Sequence, residues 1–182
     1  WRGYAVLQPN YRGSAGYGTA FAEKGEGQWG LAMQDDLNDA VDWAVQQGIA
    51  DPARVCMVGA SYGGYAAMRA AERDGAKYRC AVSYAGVSDL GAMMRYDRRF
   101  LYHGTRKDWM KEQAPDFASV SPISHAAQFS TPILLVHGRK DRRVQVGQSR
   151  EMAEKLKAAG KVEGKDYIYV EQPLADHHFT RQ

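Results

Sequence analysis

The chain has 182 residues, of which 45% are hydrophobic and 25% charged, and its net charge is +3. These values fit one domain with a single sizeable core, and the small net charge argues against nucleic acid as a partner. No apolar run approaches the roughly 18 residues that a membrane span needs. The chain begins with Trp1, which is not a natural start, so the sequence leaves the compartment undetermined.

Short β-rich runs alternate with longer helical runs along the chain. The patterns predict strands at 4–7, 54–59, 80–85, 132–138 and 167–171, and helices at 31–47, 62–73 and 146–159. The stretch 89–128 is less regular, and we expect it to form loops and short helices over one end of a sheet. Strands that alternate with helices imply a mostly parallel sheet with helices on both faces, in which functional residues collect at the carboxyl ends of the strands. We expect residues 1–182 to form one such domain.

Two features of the sequence could be mistaken for ligand sites. Cys56 and Cys80 each lie in an apolar run, so we expect two reduced core thiols rather than a disulfide or a metal pair. The segment GEGQWG (25–30) has the G-x-G-x-x-G spacing of dinucleotide sites. The residues before it are not a convincing strand, and Glu26 would repel a phosphate, so we favour a turn that leads into the helix at 31.

The segment GASYG (59–63) is a G-x-S-x-G motif between a predicted strand and a predicted helix, which is the context of a nucleophile elbow. Such a turn holds Ser61 in a strained conformation at a cost of about 1–3 kcal/mol, and we expect side chains at 59 and 63 to collide across it. The hydroxyl would then lie at a helix N-terminus, where the Tyr62 N–H can donate to an oxyanion. The alternative is a Gly-rich strand–helix junction with a capping serine.

A serine nucleophile needs a histidine base and a carboxylate that orients the histidine, and in this arrangement of elements the acid follows the serine and the histidine comes last. Asp141 follows the strand at 132–138 by three residues. Asp89 is a rival on the same side of the sheet, although a helix N-cap is the role expected of it. Asp176 is a poor orienter, because its side chain and those of the adjacent histidines diverge in an extended loop.

Five histidines compete for the role of base. His177 and His178 follow the last predicted strand, where the base is required. His137 lies inside a strand and is expected to be structural, while His103 and His125 lie in the irregular stretch and have no partner in the expected order. Adjacent histidines rarely face one metal ion, and no HExxH or CxxC motif accompanies this pair, so a metal site is disfavoured.

Four motifs in register along the chain resemble the catalytic domain of the prolyl oligopeptidase family of serine peptidases, and the elbow is most similar to its dipeptidyl-peptidase and acylaminoacyl-peptidase branch. The motifs are VLQPNYRGSAGYG (6–18), GASYGGY (59–65), PILLVHGRKDRRV (132–144) and DHHF (176–179). The resemblance implies an α/β-hydrolase fold with Ser61 as nucleophile, Asp141 as acid, His177 as base and the Tyr62 N–H as one oxyanion donor. It implies no metal and no organic cofactor.

The same resemblance implies parts that are not found in this sequence. Family members have an earlier strand whose loop supplies a second oxyanion group, a helix beyond the catalytic histidine, and a substrate-filtering β-propeller. We therefore expect the chain to belong to a longer protein, with the first strands and the last helix of the fold missing. The missing strand would lie between the strands predicted at 4–7 and 54–59 and would leave unpaired edges.

The predicted function is hydrolysis of peptide bonds in short peptides through a Ser–Asp–His triad and an acyl-enzyme. A carboxylesterase or lipase would use the same residues, and an interaction module that has lost activity would keep only the fold. The expected partner is a peptide substrate, with neither nucleic acid nor membrane. A homo-oligomer, the residue preference and exo- versus endopeptidase action stay open.

Overall fold

The computed structural model describes residues 3–97 and 116–179, which contain a four-stranded parallel sheet in the order β1-β2-β3-β4. The strands are β1 Cys56–Ala60, β2 Cys80–Tyr84, β3 Ile133–Gly138 and β4 Tyr167–Gln172. The α-helices are α1 Thr19–Glu23, α2 Ala32–Gln46, α3 Tyr62–Arg73, α4 Leu90–Asp97, α5 Phe117–Val120 and α6 Gly147–Ala158. Short 3-10 helices occur at Pro52–Arg54, Gly75–Lys77 and Pro122–Gln128. The predicted parallel α/β arrangement is confirmed.

The main core lies on one face of the sheet. One row of apolar residues runs across all four strands in register: Met57, Ala81, Ile133 and Tyr167. Helices α3 and α6 pack against this face and bury Met68 and Met152 completely. The opposite face is more open, with Val58 62% and Ile168 48% exposed. Successive strand residues point to opposite faces, so alternate side chains of each strand lie on the face that α3 and α6 cover.

The strand predicted at 4–7 is wrong for this structure. These residues have no strand conformation, and Tyr4 and Val6 are 78% and 88% exposed. They do not pair with β1, which bonds only to β2 among the described strands. A strand needs a neighbour for its backbone N–H and C=O groups, so β-rich composition alone does not produce one here.

The expectation of two reduced thiols is also wrong, because Cys56 and Cys80 form a disulfide. They are the first residues of β1 and β2, they are partners in register, and their Cα atoms lie 4.7 Å apart. Side chains of register partners on neighbouring strands point to the same face, which brings the two sulfur atoms within bonding reach.

The segment GEGQWG forms the predicted turn. The residues before it form α1 rather than a strand, which removes the dinucleotide interpretation. Gly30 packs directly on α3: a Cβ atom there would lie 2.2 Å from Tyr65 Oη, and its carbonyl accepts hydrogen bonds from Arg69 and Arg73. The turn therefore anchors the start of α2 to the helix that follows β1.

The irregular stretch is described only in part. It contains α4, α5 and the 3-10 helix Pro122–Gln128, whereas residues 98–115, with His103 among them, lie outside the described ranges. Across 3–97 and 116–179 the helices are all too short or too polar to cross a membrane.

Candidate active site

Ser61 occupies the turn between β1 and α3 with φ 56° and ψ −116°. A positive φ is strained for any residue other than glycine and costs about 1–3 kcal/mol. The turn is held on both sides, because the Ser61 N–H donates to the Tyr84 carbonyl at 2.9 Å and the Ser61 carbonyl accepts from the Tyr65 N–H at 3.0 Å. Ser61 therefore lies at the carboxyl edge of the sheet and at the N-terminus of α3.

The glycines around Ser61 are not equivalent. A Cβ atom at Gly59 would lie 2.2 Å from the Gly63 carbonyl oxygen and 2.6 Å from Gly63 Cα. A Cβ atom at Gly63 would meet no heavy atom within 4 Å, so the expectation that both positions require glycine is wrong for Gly63. The second tight position is Gly64, where a Cβ atom would lie 2.8 Å from both Tyr84 O and Gly86 Cα. Side chains are thus excluded where α3 faces β1 and β2.

The Tyr62 N–H is the first backbone donor of α3, and no acceptor for it occurs among residues 3–97 and 116–179. Open N–H groups at a helix N-terminus favour negative charge, so this group can bind an oxyanion. The Tyr62 ring lies against Trp29, with ring centroids 4.6 Å apart, and against Tyr65 at 5.5 Å. Burial raises the pKa of the Tyr62 phenol, which keeps it neutral. This aromatic packing holds Tyr62, whose backbone N–H is the donor, in place.

Asp141 and His177 meet above the carboxyl ends of β3 and β4. His177 Nδ1 lies 2.7 Å from Asp141 Oδ2, and the two side chains are 11% and 0% exposed. β3 and β4 are parallel neighbours, so the loops that follow them meet at the same edge. Because a carboxylate only accepts, His177 Nδ1 carries the proton of this bond and Nε2 is left with its lone pair.

Asp141 is held on both carboxylate oxygens. Oδ1 accepts from the Arg143 N–H at 2.8 Å and from the Val144 N–H at 2.9 Å. Burial acts to raise the pKa of Asp141, but the hydrogen bonds from His137, from His177 and from the two amides outweigh it, so the pKa lies below its ordinary value. The lowered pKa favours the ionised carboxylate.

His137 also contacts Asp141, and this contact was not predicted from the sequence. Its Nε2 lies 2.9 Å from Val144 O and 3.3 Å from Asp141 Oδ2, and its Nδ1 lies 2.7 Å from Ser149 Oγ. A carbonyl only accepts, so Nε2 carries the proton and the Ser149 hydroxyl donates to Nδ1. The sequence feature that could have indicated this contact is a histidine near the end of a buried strand, four residues before Asp141.

Asp89 has a different role in this structure. Its Oδ1 accepts from the Ala92 N–H at 2.8 Å in the first turn of α4, which is a helix cap. Its own N–H donates to Gln148 Oε1 at 2.7 Å. These contacts hold the loop after β2 against α6 and give Asp89 the structural role expected of it.

The remaining described histidines make other contacts. His125 Nε2 lies 2.9 Å from Ser119 O. The His178 ring lies edge-on to that of His177, with centroids 5.5 Å apart. The backbone N–H of His178 donates to Asp176 Oδ1 at 2.9 Å. In the part of the chain that the structure describes, no three His, Cys, Asp or Glu side chains are grouped to hold a metal ion.

Ser61 reaches the same edge as the Asp141–His177 pair. The Phe179 ring contacts the Tyr84 ring at 5.7 Å, and Tyr84 is the residue whose carbonyl binds the Ser61 N–H. The loop that carries His177 is therefore packed beside the elbow. No hydrogen bond joins Ser61 Oγ to His177 within the described ranges.

A cavity of about 690 Å³ opens beside this pair. Asp141 and His177 are part of its lining. Four cationic residues line it as well: Arg139, Lys140, Arg142 and Arg143.

Comparison with known proteins places these features in a family. Residues 1–182 match the prolyl oligopeptidase family. The chain is 33% identical to dipeptidyl aminopeptidase BIII from Pseudoxanthomonas mexicana, over 99% of this chain and 27% of that protein. It is 31% identical to the acylamino-acid-releasing enzyme from Arabidopsis thaliana, over 98% of this chain and 24% of that protein.

A solved structure of a puromycin-hydrolyzing peptidase from Mycobacterium tuberculosis superposes with a TM-score of 0.76 and 30% identity, over 94% of this chain and 26% of that one. The predicted α/β-hydrolase fold is confirmed by this likeness. The chain spans 24–27% of the length of these three proteins. A match along its whole length shows that the chain belongs to the prolyl oligopeptidase family.

Proposed function

We propose that this chain carries the catalytic residues of a serine peptidase that hydrolyses peptide bonds in short peptides. The observation that supports it most directly is the 2.7 Å hydrogen bond between His177 Nδ1 and Asp141 Oδ2, at the sheet edge where Ser61 occupies a strained elbow. Residues 1–182 would act as a single catalytic domain of the whole protein. On the family resemblance, we propose that the whole protein also has a β-propeller.

In the proposed reaction, Ser61 Oγ attacks the scissile carbonyl carbon while His177 Nε2 takes the hydroxyl proton. The carbonyl oxygen becomes an oxyanion that accepts a hydrogen bond from the Tyr62 N–H. His177 then gives its proton to the leaving amine as the C–N bond breaks, and an acyl-enzyme on Ser61 remains. Water then attacks the acyl carbon while His177 Nε2 takes a proton from it. The bond to Ser61 Oγ breaks, His177 returns the proton to this oxygen, and the carboxylic acid leaves. On this proposal the Ser61–His177 hydrogen bond forms in the substrate complex, as catalytic hydrogen bonds commonly do.

Asp141 has two tasks in this mechanism. It fixes the His177 tautomer that leaves Nε2 free, and its charge stabilises the imidazolium that forms during proton transfer. The lowered pKa of Asp141 suits both tasks, because it favours the ionised form of the carboxyl group.

The proposed substrates follow from the relatives. One is named a dipeptidyl aminopeptidase and another an acylamino-acid-releasing enzyme, so we propose that this protein acts on dipeptidyl or acylaminoacyl groups of short peptides. The test compares turnover of dipeptidyl and acylaminoacyl anilides with turnover of simple acyl esters by the whole protein. Amide turnover is expected, and activity confined to esters would instead identify a carboxylesterase.

Labelling provides an independent readout of the nucleophile. A fluorophosphonate probe is expected to modify Ser61 in the whole protein, identified by mass spectrometry of the peptide that contains it. The Ser61→Ala variant should show neither labelling nor turnover. A whole protein that is folded but unlabelled and inactive on both substrate classes would indicate an interaction module instead.

A further inference from the structure

Four cationic side chains surround the cavity beside His177, and we call them the basic rim: Arg139, Lys140, Arg142 and Arg143. Lys140, Arg142 and Arg143 are exposed, and their side chains form no ion pair with any residue in 3–97 or 116–179. The rim therefore presents charged groups to the cavity rather than to carboxylates of the described fold.

The charge of Arg139 is only partly balanced. Arg139 Nε lies 3.7 Å from Glu171 Oε1, and the Arg139 side chain is 65% exposed. Glu171 already binds Arg150 through both oxygens, at 2.8 and 2.7 Å. The single negative charge of Glu171 is therefore shared by two guanidinium groups, and the shorter contacts are those to Arg150.

The carboxylates of the cavity lining do not cancel the rim. Asp141 is buried, and its oxygens are occupied by His177, His137 and two backbone amides. Asp176 is the other described acid in the lining, and one of its oxygens accepts from the His178 N–H. The lining thus has two carboxylates, Asp141 and Asp176, against four cationic side chains, so its net charge is positive.

We infer that the basic rim selects anionic peptides: substrates with an Asp or Glu side chain within about two residues of the scissile bond. The inference rests on the proposed function, because the rim surrounds the histidine assigned as base. A cleft lined by one sign of charge focuses the field and raises the local concentration of the opposite charge. Guanidinium groups also bind carboxylates through two parallel hydrogen bonds.

The test uses three short peptides with the same scissile bond, assayed with the whole protein. One carries Glu beside the bond and an amidated C-terminus, the second carries Gln with an amidated C-terminus, and the third carries Gln with a free C-terminal carboxylate. At low ionic strength, kcat/KM for the Glu peptide is expected to exceed that for the amidated Gln peptide by about tenfold. Near 1 M salt, where the Debye length is about 3 Å, the ratio should approach one.

The outcomes separate the two proposals. Cleavage of all three peptides at equal rates at low salt would overturn the inference and leave the peptidase proposal intact. Cleavage of none would overturn the peptidase proposal itself. A preference confined to the free carboxylate would overturn side-chain selection and assign the rim to peptide C-termini.

A pair of charge-neutralising substitutions tests whether the preference for Glu arises at the basic rim. Lys140→Gln with Arg142→Gln is expected to lower the Glu/Gln ratio by about fivefold at low salt. Arg79→Gln with Lys165→Gln removes the same charges from exposed positions just before β2 and β4, at the opposite end of the sheet, and should keep the ratio of the unchanged protein. If both pairs keep that ratio, the rim is not the selector. The salt titration of the unchanged protein tests the inference even if the Lys140/Arg142 pair does not fold.

Discussion

His137 Nε2 and Asp141 Oδ2 lie 3.3 Å apart, and both side chains are fully buried. The same oxygen accepts the hydrogen bond from His177 Nδ1 at 2.7 Å. One carboxylate oxygen thus contacts a histidine inside β3 and a histidine after β4, while backbone amides hold the other. Asp141 is fixed on both oxygens independently of any substrate, which is the preorganisation that the proposed triad requires.

Replacing Asp141 by Asn tests the assignment of the acid. The amide is neutral and presents an NH₂ group, so it no longer fixes the productive His177 tautomer or stabilises the imidazolium. We expect kcat to fall by about 10,000-fold. Asp89→Asn is the matched control, because Asn also caps helices and the variant should keep kcat within about twofold. A large loss in the Asp89 variant with activity retained in the Asp141 variant would reverse the assignment.

The strained backbone at Ser61 predicts that two inactive variants at this position differ in stability. Ser61→Ala and Ser61→Gly both remove the proposed nucleophile, and we expect each to lower kcat by about a million-fold. The two variants differ in backbone freedom, since φ 56° is strained for Ala and not for Gly. Urea unfolding should give Ser61→Gly a free energy of unfolding about 1 kcal/mol above that of Ser61→Ala. Equal stabilities would indicate that the turn relaxes.

Gly59 and Gly63 form a matched pair for the steric argument. An Ala Cβ at Gly59 would lie 2.2 Å from Gly63 O, so Gly59→Ala should lower the free energy of unfolding by about 3 kcal/mol. At Gly63 the space is open and the backbone is helical, so Gly63→Ala should raise it by up to about 1 kcal/mol. Denaturant titration of both variants measures the contrast, and similar losses in both would contradict it.

The elbow could be predicted from the sequence because its geometry is local. A strand, a tight turn and a helix occur within a few residues of Ser61, and each has its own signal. The contact between Asp141 and His177 joins residues 36 positions apart and depends on β3 and β4 being neighbours. The expected order of serine, acid and histidine along the chain does not by itself exclude Asp89. The family resemblance favours Asp141.

The expectations that failed depend on relations between elements. The disulfide follows from the register of β1 with β2, which two separate apolar runs do not encode. The segment 4–7 has strand-forming residues but pairs with none of the described strands. The open space at Gly63 depends on the position of α3 over the sheet, and so does the crowding at Gly64. Local pattern predicts what an element is more readily than what it contacts.

The disulfide predicts a measurable dependence of stability on redox state. Cys56 and Cys80 are 24 positions apart, and closing a loop of this size stabilises the folded state by about 3 kcal/mol. Reduction with dithiothreitol should therefore lower the urea midpoint of unfolding. The double variant Cys56→Ser and Cys80→Ser should have a midpoint close to that of the reduced protein and should not respond to the reductant. A response in the double variant would assign the effect to something other than this bond.

The ion pair between Glu171 and Arg150 predicts a pH window for stability. It joins β4 to α6 through two short bonds, which lower the pKa of Glu171 to about 2 from its ordinary 4.5, against a smaller opposing effect of burial. A carboxyl whose pKa is lowered by folding stabilises the protein above its ordinary pKa and loses that contribution as the pH falls through the folded value. The Arg150 side chain is 45% exposed, so solvent screening limits the contribution to about 1 kcal/mol.

We therefore expect Glu171→Gln to lower the free energy of unfolding by about 1 kcal/mol at pH 7. The difference from the unchanged protein should shrink between pH 4.5 and about 2, where Glu171 itself becomes protonated. Glu154→Gln is the control, because Glu154 is exposed on α6 and forms no ion pair with a described residue. Urea titrations across this range measure the difference. A loss that persists unchanged below pH 2 would show that Glu171 acts through packing rather than through its charge.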